Sequence, residues 1–396
     1  MVARWRHLLF ACGLSSWCAV SVLSPSASAQ QPLRRASAVP EIRFGAIEPP
    51  VVAQRDITIR AAVSNQQPEK KALECSGMAW IGEYLLLSSD RHGHVLFTCP
   101  IDLQHMATGM PTAHVVIENE QELLDDAECL VVHRNAGGEE VVFALCSLSN
   151  DPDELPLPKR RHMLRLILRD SARFTIAHRR VLNVGALRDL INGYFEAARI
   201  APYRTFNAGF VGADKNTYRW GNVEGMCFAP DGRRLLLGLR NPLLAGRALV
   251  AVVEEVERAF TMGDPDRLRL SDLFDVNLGE RGISDLCWDP LTQGYLITAA
   301  KSNGPKLDKN QAFPPNTLDS ALFWWTGHKQ DEPVLCATFP DMKVEAVCRL
   351  GSTRYIAVGS DEGDVSEGRP QQKQSVVTIL YFTGIETGTT DGTRQR

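Results

Sequence analysis

A hairpin pattern that recurs along the chain constrains the fold of this sequence more than any other feature. In its clearest copy, NVEGMCFAPDGRRLLLGLRNP, a carboxylate opens a short apolar run, a Pro-Asp-Gly turn follows, and a leucine run leads to an arginine. The copies lie at Ser76–Arg91, Ala127–Ser149, Asn222–Pro242, Ile283–Ser302 and Val344–Gly363. An internal repeat of this kind indicates an array of similar units, each of which buries its apolar face against its neighbours.

Each hairpin is followed by enough chain for two more strands. The candidate outer strands are Val95–Thr98 with Ala113–Ile117, Met163–Leu168 with Phe174–Leu182, Ala248–Val253 with Leu268–Leu273, Ala321–Trp325 with Val334–Phe339, and Val376–Phe382. The alternating segment Asp56–Val63 is expected to pair with the last of these and so to close a ring. Four-stranded antiparallel units around a ring predict an all-β fold, a single β-propeller with five visible blades.

Because of one segment, the sequence does not decide between five blades and six. Residues 183–221 lie between the second and third units and form either an insertion or a degenerate blade. Within them, Ala186–Ala198 has apolar residues at helical spacing, which predicts a helix.

The two ends of the chain have sequences unlike the repeat. Residues 1–29 have a basic start, an apolar stretch and an Ala-Ser-Ala site, which predict a signal peptide cleaved after Ala29. We therefore expect a periplasmic or secreted protein with no stable membrane anchor after cleavage. Residues 30–55 are expected to form a poorly ordered lead-in, 56–384 the propeller, and 385–396 a flexible tail.

Composition is that of an ordinary globular protein. The 396 residues are 44% hydrophobic and carry a net charge of −4, so no strong field indicates a nucleic-acid partner, and we expect a monomer. Three of the cysteines, Cys227, Cys287 and Cys348, occupy the same position of the repeat. The sequence favours small buried side chains over disulfide bridges there, although an exported protein could form bridges.

Residues at two places in every hairpin are expected to converge on one mouth of the central channel. In an up-and-down blade, the start of the inner strand and the end of the second strand lie at the same end, opposite the turn between them. The candidate ligand-binding residues of this mouth are Glu128, Glu224, Glu345, Asp285, Asp90, Arg91, Arg240, Lys301 and Asp361.

The acids of this ring have two explanations. Carboxylates brought close together repel unless a cation lies among them, so Glu128, Glu224 and Glu345 are candidate ligands for a metal, with calcium as the expected ion. Alternatively, these acids pair with Arg240, Arg91 and Lys301 and join blade to blade. Direct contacts to arginine or lysine would favour the second explanation, and acids about 4 to 6 Å apart without such contacts would favour the first.

Several phrases of the sequence resemble one known family. They are SGMAW at Ser76–Trp80, KRRHMLRL at Lys159–Leu166, the segments Asn222–Val250 and Gly279–Ala299, and SDEG at Ser360–Gly363. In these segments the chain is similar to the secreted bacterial proteins catalogued as domain of unknown function 3616. It departs from that family at Cys129 and Leu148, where a glycine and a histidine are expected. The resemblance implies a propeller and assigns no activity. Glu224-Gly225 is also similar to the Glu-Gly pairs of calcium-dependent phytase-like propellers.

The sequence leaves three functions to be distinguished. The favoured one is an exported propeller that binds a small ligand or a partner at the charged mouth. The second is a calcium-assisted hydrolase of phosphate or carboxylate esters that uses the same mouth, so whether the protein is an enzyme stays open. The third is a protein-interaction scaffold.

Overall fold

The protein is an all-β propeller of five blades. The computed structural model describes residues 42–44, 55–60, 73–105, 107–149, 157–197, 222–301, 319–340, 342–360, 374–382 and 385–387. Several sequence predictions fall outside these residues: the signal peptide, most of the lead-in and of the tail, residues 198–221, and the candidate site residue Asp361.

The described strands follow the sequence pattern closely. In chain order they are β1 (Ile42–Phe44), β2 (Arg55–Arg60), β3 (Cys75–Ile81), β4 (Tyr84–Ser89), β5 (Val95–Asp102), β6 (Ala107–Thr108), β7 (Thr112–Val115), β8 (Ala127–Arg134), β9 (Glu140–Cys146), β10 (His162–Asp170), β11 (Thr175–Asn183), β12 (Asn222–Phe228), β13 (Leu235–Leu244), β14 (Arg247–Glu254), β15 (Arg269–Val276), β16 (Gly282–Asp289), β17 (Gly294–Ala300), β18 (Ser320–Trp325), β19 (Val334–Phe339), β20 (Val344–Arg349), β21 (Tyr355–Ser360), β22 (Gln374–Tyr381) and β23 (Ile385–Thr387).

Each blade is an antiparallel sheet that begins with its inner strand. Blade 1 runs β3-β4-β5-β7, with β6 also paired to β5, and blades 2 to 4 run β8 to β11, β12 to β15 and β16 to β19. Blade 5 runs β20-β21-β22 and takes β2 as its outer strand. The ring is therefore closed by a strand from near the amino-terminal end, as the alternation of Asp56–Val63 predicts. A short ladder pairs β1 with β23.

Helices are few in the described chain. They are the α-helices α1 (Gly185–Ala197) and α2 (Val256–Met262) and the 3-10 turns Glu120–Glu122, Pro158–Arg161 and Pro265–Arg267. Helix α1 confirms the predicted helix after blade 2, and its Leu187 and Ile191 are buried beside blades 2 and 3. No helix in the ranges that the structure describes is long and apolar enough to cross a bilayer.

Five apolar clusters fill the five spaces between neighbouring blades. They lie between blades 1 and 2, 2 and 3, 3 and 4, 4 and 5, and 5 and 1. Each sheet is therefore buried on both faces near the axis, which is why the inner strands have continuous apolar runs. No disulfide joins the eight cysteines of the described chain, and Cys227 and Cys348 are buried in these clusters. This confirms the interpretation of Cys227 and Cys348 as small packing side chains, whereas Cys287 is only half-buried.

The five inner strands share one irregularity that positions the candidate site. In each, the pairing with the second strand skips one residue at the start of the strand, so that this residue forms a β-bulge. A bulge turns a side chain away from the regular alternation of a strand. The five bulge residues, called the bulge ring below, are Ser76, Glu128, Glu224, Ser284 and Glu345.

Candidate functional site

The guanidinium of Arg240 donates hydrogen bonds to three members of the bulge ring. Arg240 lies in the second strand of blade 3, β13, next to the point where its pairing with the inner strand ends. It donates from Nη1 to a carboxylate oxygen of Glu224, to Ser284 Oγ at 3.0 Å and to Glu345 Oε2 at 2.8 Å. These acceptors belong to blades 3, 4 and 5. The contacts show that side chains from three blades converge at one mouth of the channel, as the repeat predicts.

The two acids in this half of the mouth have cationic partners. Glu345 also lies 3.0 Å from Lys343 Nζ, and Glu224 accepts a hydrogen bond of 2.7 Å from Asn222 Nδ2. Burial opposes the ionisation of Glu345, but attraction to Arg240 and Lys343 outweighs it and lowers its pKa. For Glu224, burial dominates and raises the pKa, although Arg240 opposes the shift. The buried residues Glu224, Glu345 and Arg240 and the half-buried Lys343 therefore form a network that joins blade 3 to blade 5.

The Asp285 side chain, in the same half of the mouth, accepts hydrogen bonds from backbone N–H groups. Its side chain is buried, and its two oxygens accept hydrogen bonds of 2.7 Å from the N–H groups of Leu286 and Val347. Burial raises its pKa well above the usual range even so. Because Val347 belongs to the inner strand of the next blade, Asp285 joins blades 4 and 5.

The other half of the mouth is built around Glu128. A carboxylate oxygen of Glu128 lies within 4.8 Å of oxygens of Asp90 and Asp126, and all three side chains are half-buried. Asp90 comes from the end of the second strand of blade 1, and the other two from the start of blade 2. We call these three residues the acid cluster. Within the described chain, Glu128 has neither an ion pair nor a hydrogen bond through its side chain.

The acid cluster makes ionisation of Glu128 unfavourable. Burial raises the pKa of Glu128 well above its usual range, and repulsion from Asp126, Glu224 and Asp90 adds to the shift. Asp126, in contrast, has partners: Arg160 Nη1 lies 3.1 Å from its Oδ2, and Ser147 Oγ donates to the same atom. Glu128 is thus the acid of the mouth whose charge the neighbouring side chains compensate least.

Local backbone geometry brings the acid cluster together. Gly93 follows the second strand of blade 1, and its carbonyl accepts a hydrogen bond of 3.0 Å from Leu124 N, just before blade 2. A Cβ atom at Gly93 would lie 2.0 Å from the Leu124 carbonyl oxygen, so only glycine allows this approach. Asp126 has φ 62°, a left-handed conformation that aspartate tolerates better than most residues. The approach sets Asp90 beside the start of blade 2.

The structure divides the sequence-predicted site residues into groups. Glu224, Glu345 and Arg240 meet in the ion-pair network, whereas Glu128 and Asp90 meet in the acid cluster. The other predicted pairings are wrong, because closer acids hold the two cations: Arg91 Nε donates to Glu74 at 2.5 Å, and Lys301 Nζ lies 3.1 Å from Asp319.

Asp126 was missed by the sequence reasoning. It stands two residues before the bulge residue Glu128 and just outside the inner strand β8. The available signal was the Asp125-Asp126 pair immediately before that strand, next to an acidic bulge position.

Several buried polar atoms at this mouth also have no hydrogen-bond partner in the part of the chain that the structure describes. They are Arg240 Nε, Asn222 Oδ1 and Asn241 Oδ1. A buried donor or acceptor without a partner is costly in free energy, which usually means that water or a ligand satisfies it. The mouth therefore offers polar groups of both kinds to a bound molecule.

Comparison with known proteins gives no information about the site. No protein-family model matches the chain, and no curated protein matches it. Among solved structures, a luciferin-regenerating enzyme is 11% identical, with 84% of this chain and 97% of that chain covered and a TM-score of 0.39. A GH43 β-1,3-galactosidase is 10% identical, with 81% and 94% covered and a TM-score of 0.40.

A third solved structure is an aldose sugar dehydrogenase from Streptomyces coelicolor in its PQQ-bound form. It is 9% identical, with 83% of this chain and 98% of that chain covered and a TM-score of 0.37. At such low identity and TM-score these likenesses carry no information about activity.

Proposed function

We propose that the protein binds a small ligand at the charged mouth of its channel and that a hard divalent cation, calcium, takes part in this binding at the acid cluster. The observation that carries the proposal is Glu128, whose carboxylate lies within 4.8 Å of two other acids and has no cation partner among the residues that the structure describes. Export and membership of the family named above stay predictions from the sequence.

The spacing of the acids is compatible with calcium. Oxygen ligands lie about 2.3–2.6 Å from this ion, so two of them are at most about 5 Å apart. The oxygens of Asp90, Asp126 and Glu128 meet this condition, since they lie within 4.8 Å of one another. A bound cation would favour the ionised form of Glu128 and remove the mutual repulsion.

The paired half of the mouth supports a role as scaffold rather than as metal ligand. Glu224 and Glu345 already share Arg240, and bringing a second cation to them would require that the buried guanidinium move away. We therefore reduce the metal ligands expected from the sequence to Glu128 and propose Asp90 and Asp126 as its companions.

Thermal unfolding in the presence of calcium tests the proposal. An ion that binds only the native state stabilises it by about 2.7 kcal/mol at 100 times its dissociation constant, which raises the melting temperature. We expect this shift in the wild type and in Glu332→Gln, a control at an exposed acid. We expect its loss in Glu128→Gln and Asp126→Asn. An equal calcium response in the wild type and both cluster variants would refute the proposal.

A further inference from the structure

A cavity of about 540 Å³ lies at the opposite end of the propeller from the charged mouth. Its rim includes the turns between first and second strands, among them Pro230, Pro290 and Gly351. Cavities of this size accommodate drug-sized molecules. We call it the turn-end cavity, and it is separate from the site of the proposed function.

Aromatic residues from three blades contribute to its wall. Trp80 comes from blade 1, Phe228 from blade 3 and Trp288 from blade 4. Neither indole N–H of Trp80 or Trp288 has a hydrogen-bond partner among the described residues. The cavity therefore presents flat apolar surfaces together with two donors that an acceptor atom could use.

The wall carries no uncompensated charge in the described chain. Arg349 donates from Nε to Asp289 Oδ1 at 2.9 Å and from Nη2 to Oδ2, and both residues are almost fully buried. The other two charged residues of the wall lie at its rim and also have partners: Arg134 Nη2 lies 3.2 Å from Glu140, and Asp231 accepts from Arg234 Nε at 2.6 Å.

The titratable groups of the wall are neutral as well. Burial lowers the pKa of His133, which keeps its imidazole uncharged at neutral pH. Burial raises the pKa of Cys287 to about 12 and raises the pKa values of Cys227 and Cys348 well above the usual range of a thiol, so all three stay thiols. A charged ligand would lose its hydration here without gaining a counter-charge.

Two rings of the wall are fixed by neighbouring blades. His133 of blade 2 stacks on Phe228 of blade 3, with ring centroids 4.3 Å apart. Trp80 of blade 1 lies against the turn of blade 5, where a Cβ atom at Gly351 would be 3.1 Å from its Nε1. Rings held in place before binding lose little conformational entropy when a ligand stacks on them.

We propose that the turn-end cavity binds an uncharged aromatic small molecule that carries a hydrogen-bond acceptor. The aromatic part lies against Trp80 and Trp288, and the acceptor takes an indole N–H. The neutral wall selects against anions and cations, which distinguishes this site from the charged mouth.

A fluorescent naphthalene ketone tests the proposal. The probe is 6-acetyl-2-dimethylaminonaphthalene, which is uncharged and has a carbonyl acceptor, and the comparison ligand is the anionic 8-anilinonaphthalene-1-sulfonate. We expect the ketone to bind at least about tenfold more tightly, with energy transfer from tryptophan. One desolvated hydrogen bond or charge accounts for a factor of this size.

Substitutions locate the binding. Val132→Trp fills part of the cavity and should abolish ketone binding, whereas Val115→Trp, at an exposed outer strand, should leave it unchanged. Trp80→Phe keeps an aromatic ring, removes one donor and should shift the ketone emission to the blue. The proposal is overturned if the ketone does not bind, if the sulfonate binds as tightly, or if a folded Val132→Trp protein binds the ketone like the wild type.

Discussion

The two ends of the channel each contain a buried arginine, but their charges are balanced differently. At the turn end, Arg349 has one acid, Asp289, which it contacts through two nitrogens. At the mouth, Arg240 forms ion pairs with two acids, Glu224 and Glu345, and in the described chain it forms none with Glu128. A pair of one cation and one acid, such as Arg349 and Asp289, joins two blades and leaves no charge unpaired. The excess acid at the mouth lowers stability and is therefore the feature that a ligand would explain.

Removal of the Arg240 side chain should reduce the stability of the folded protein more than any other substitution proposed here. Arg240→Met leaves Glu224 and Glu345 buried around an apolar side chain, and breaking a buried ion pair in this way costs about 3–5 kcal/mol. Denaturant unfolding measures the loss, and Arg134→Met, at an exposed pair, serves as a control with a loss below about 1 kcal/mol.

The triple variant that adds Glu224→Gln and Glu345→Gln to Arg240→Met should recover much of the lost stability, because it no longer buries unpaired charge. If Arg240→Met and its exposed control lose equally little, Arg240 is not the centre of the mouth.

Gly93→Ala should disturb the acid cluster from a distance. The added Cβ atom would meet the Leu124 carbonyl oxygen, and relief of such a clash costs about 1–3 kcal/mol. We also expect a weaker calcium response, because the approach that brings Asp90 to Asp126 is lost. Gly193→Ala is the matched control, since it lies in α1 with open space around it and should be neutral or slightly stabilising. Equal effects of the two substitutions on calcium binding would contradict this account of the cluster.

Glu128→Gln should stabilise the folded protein, in contrast to the substitutions above. In a chelator, the variant should unfold at higher denaturant concentration than the wild type at about pH 8, with a gain of about 1 kcal/mol, because a poorly compensated buried charge is removed. Glu345→Gln should be destabilising under the same conditions, since its charge is paired. A loss of stability in both variants would mean that Glu128 also has a cation partner.

The pH dependence should follow from the raised pKa of Glu128. A carboxyl that holds its proton more tightly in the folded state favours folding at low pH, and this contribution is lost as pH rises from about 4.3, the unfolded value, through the folded value. The difference in unfolding free energy between Glu128→Gln and the wild type should therefore grow between about pH 5 and pH 8. A difference that stays constant over that range would show that folding does not raise the pKa of Glu128.

The sequence predicted the fold because the repeat has a regular physical cause. Each blade must bury both faces of its inner strands, so apolar runs, turns and spacing recur, and the five blades, the closing strand β2 and helix α1 could all be anticipated. The same repeat predicted which residues start the inner strands. It did not predict that they form bulges, because a bulge depends on pairing register rather than on residue type.

The division of the mouth into two halves lay beyond the sequence. Which acids reach Arg240 depends on side-chain directions across non-adjacent blades, as the link from blade 3 to blade 5 shows. Asp126 could not be placed either, since its position depends on a left-handed backbone conformation and on the approach of Gly93 to Leu124.

The location of a calcium-like ion tests the central claim most directly. Terbium prefers the same oxygen ligands and scatters anomalously, so crystals soaked in it would show the ion in an anomalous difference map. The account predicts a peak about 2.3–2.6 Å from carboxylate oxygens of Asp90, Asp126 and Glu128. The absence of a peak at these three residues, or a peak beside Glu224 and Glu345 instead, would contradict it.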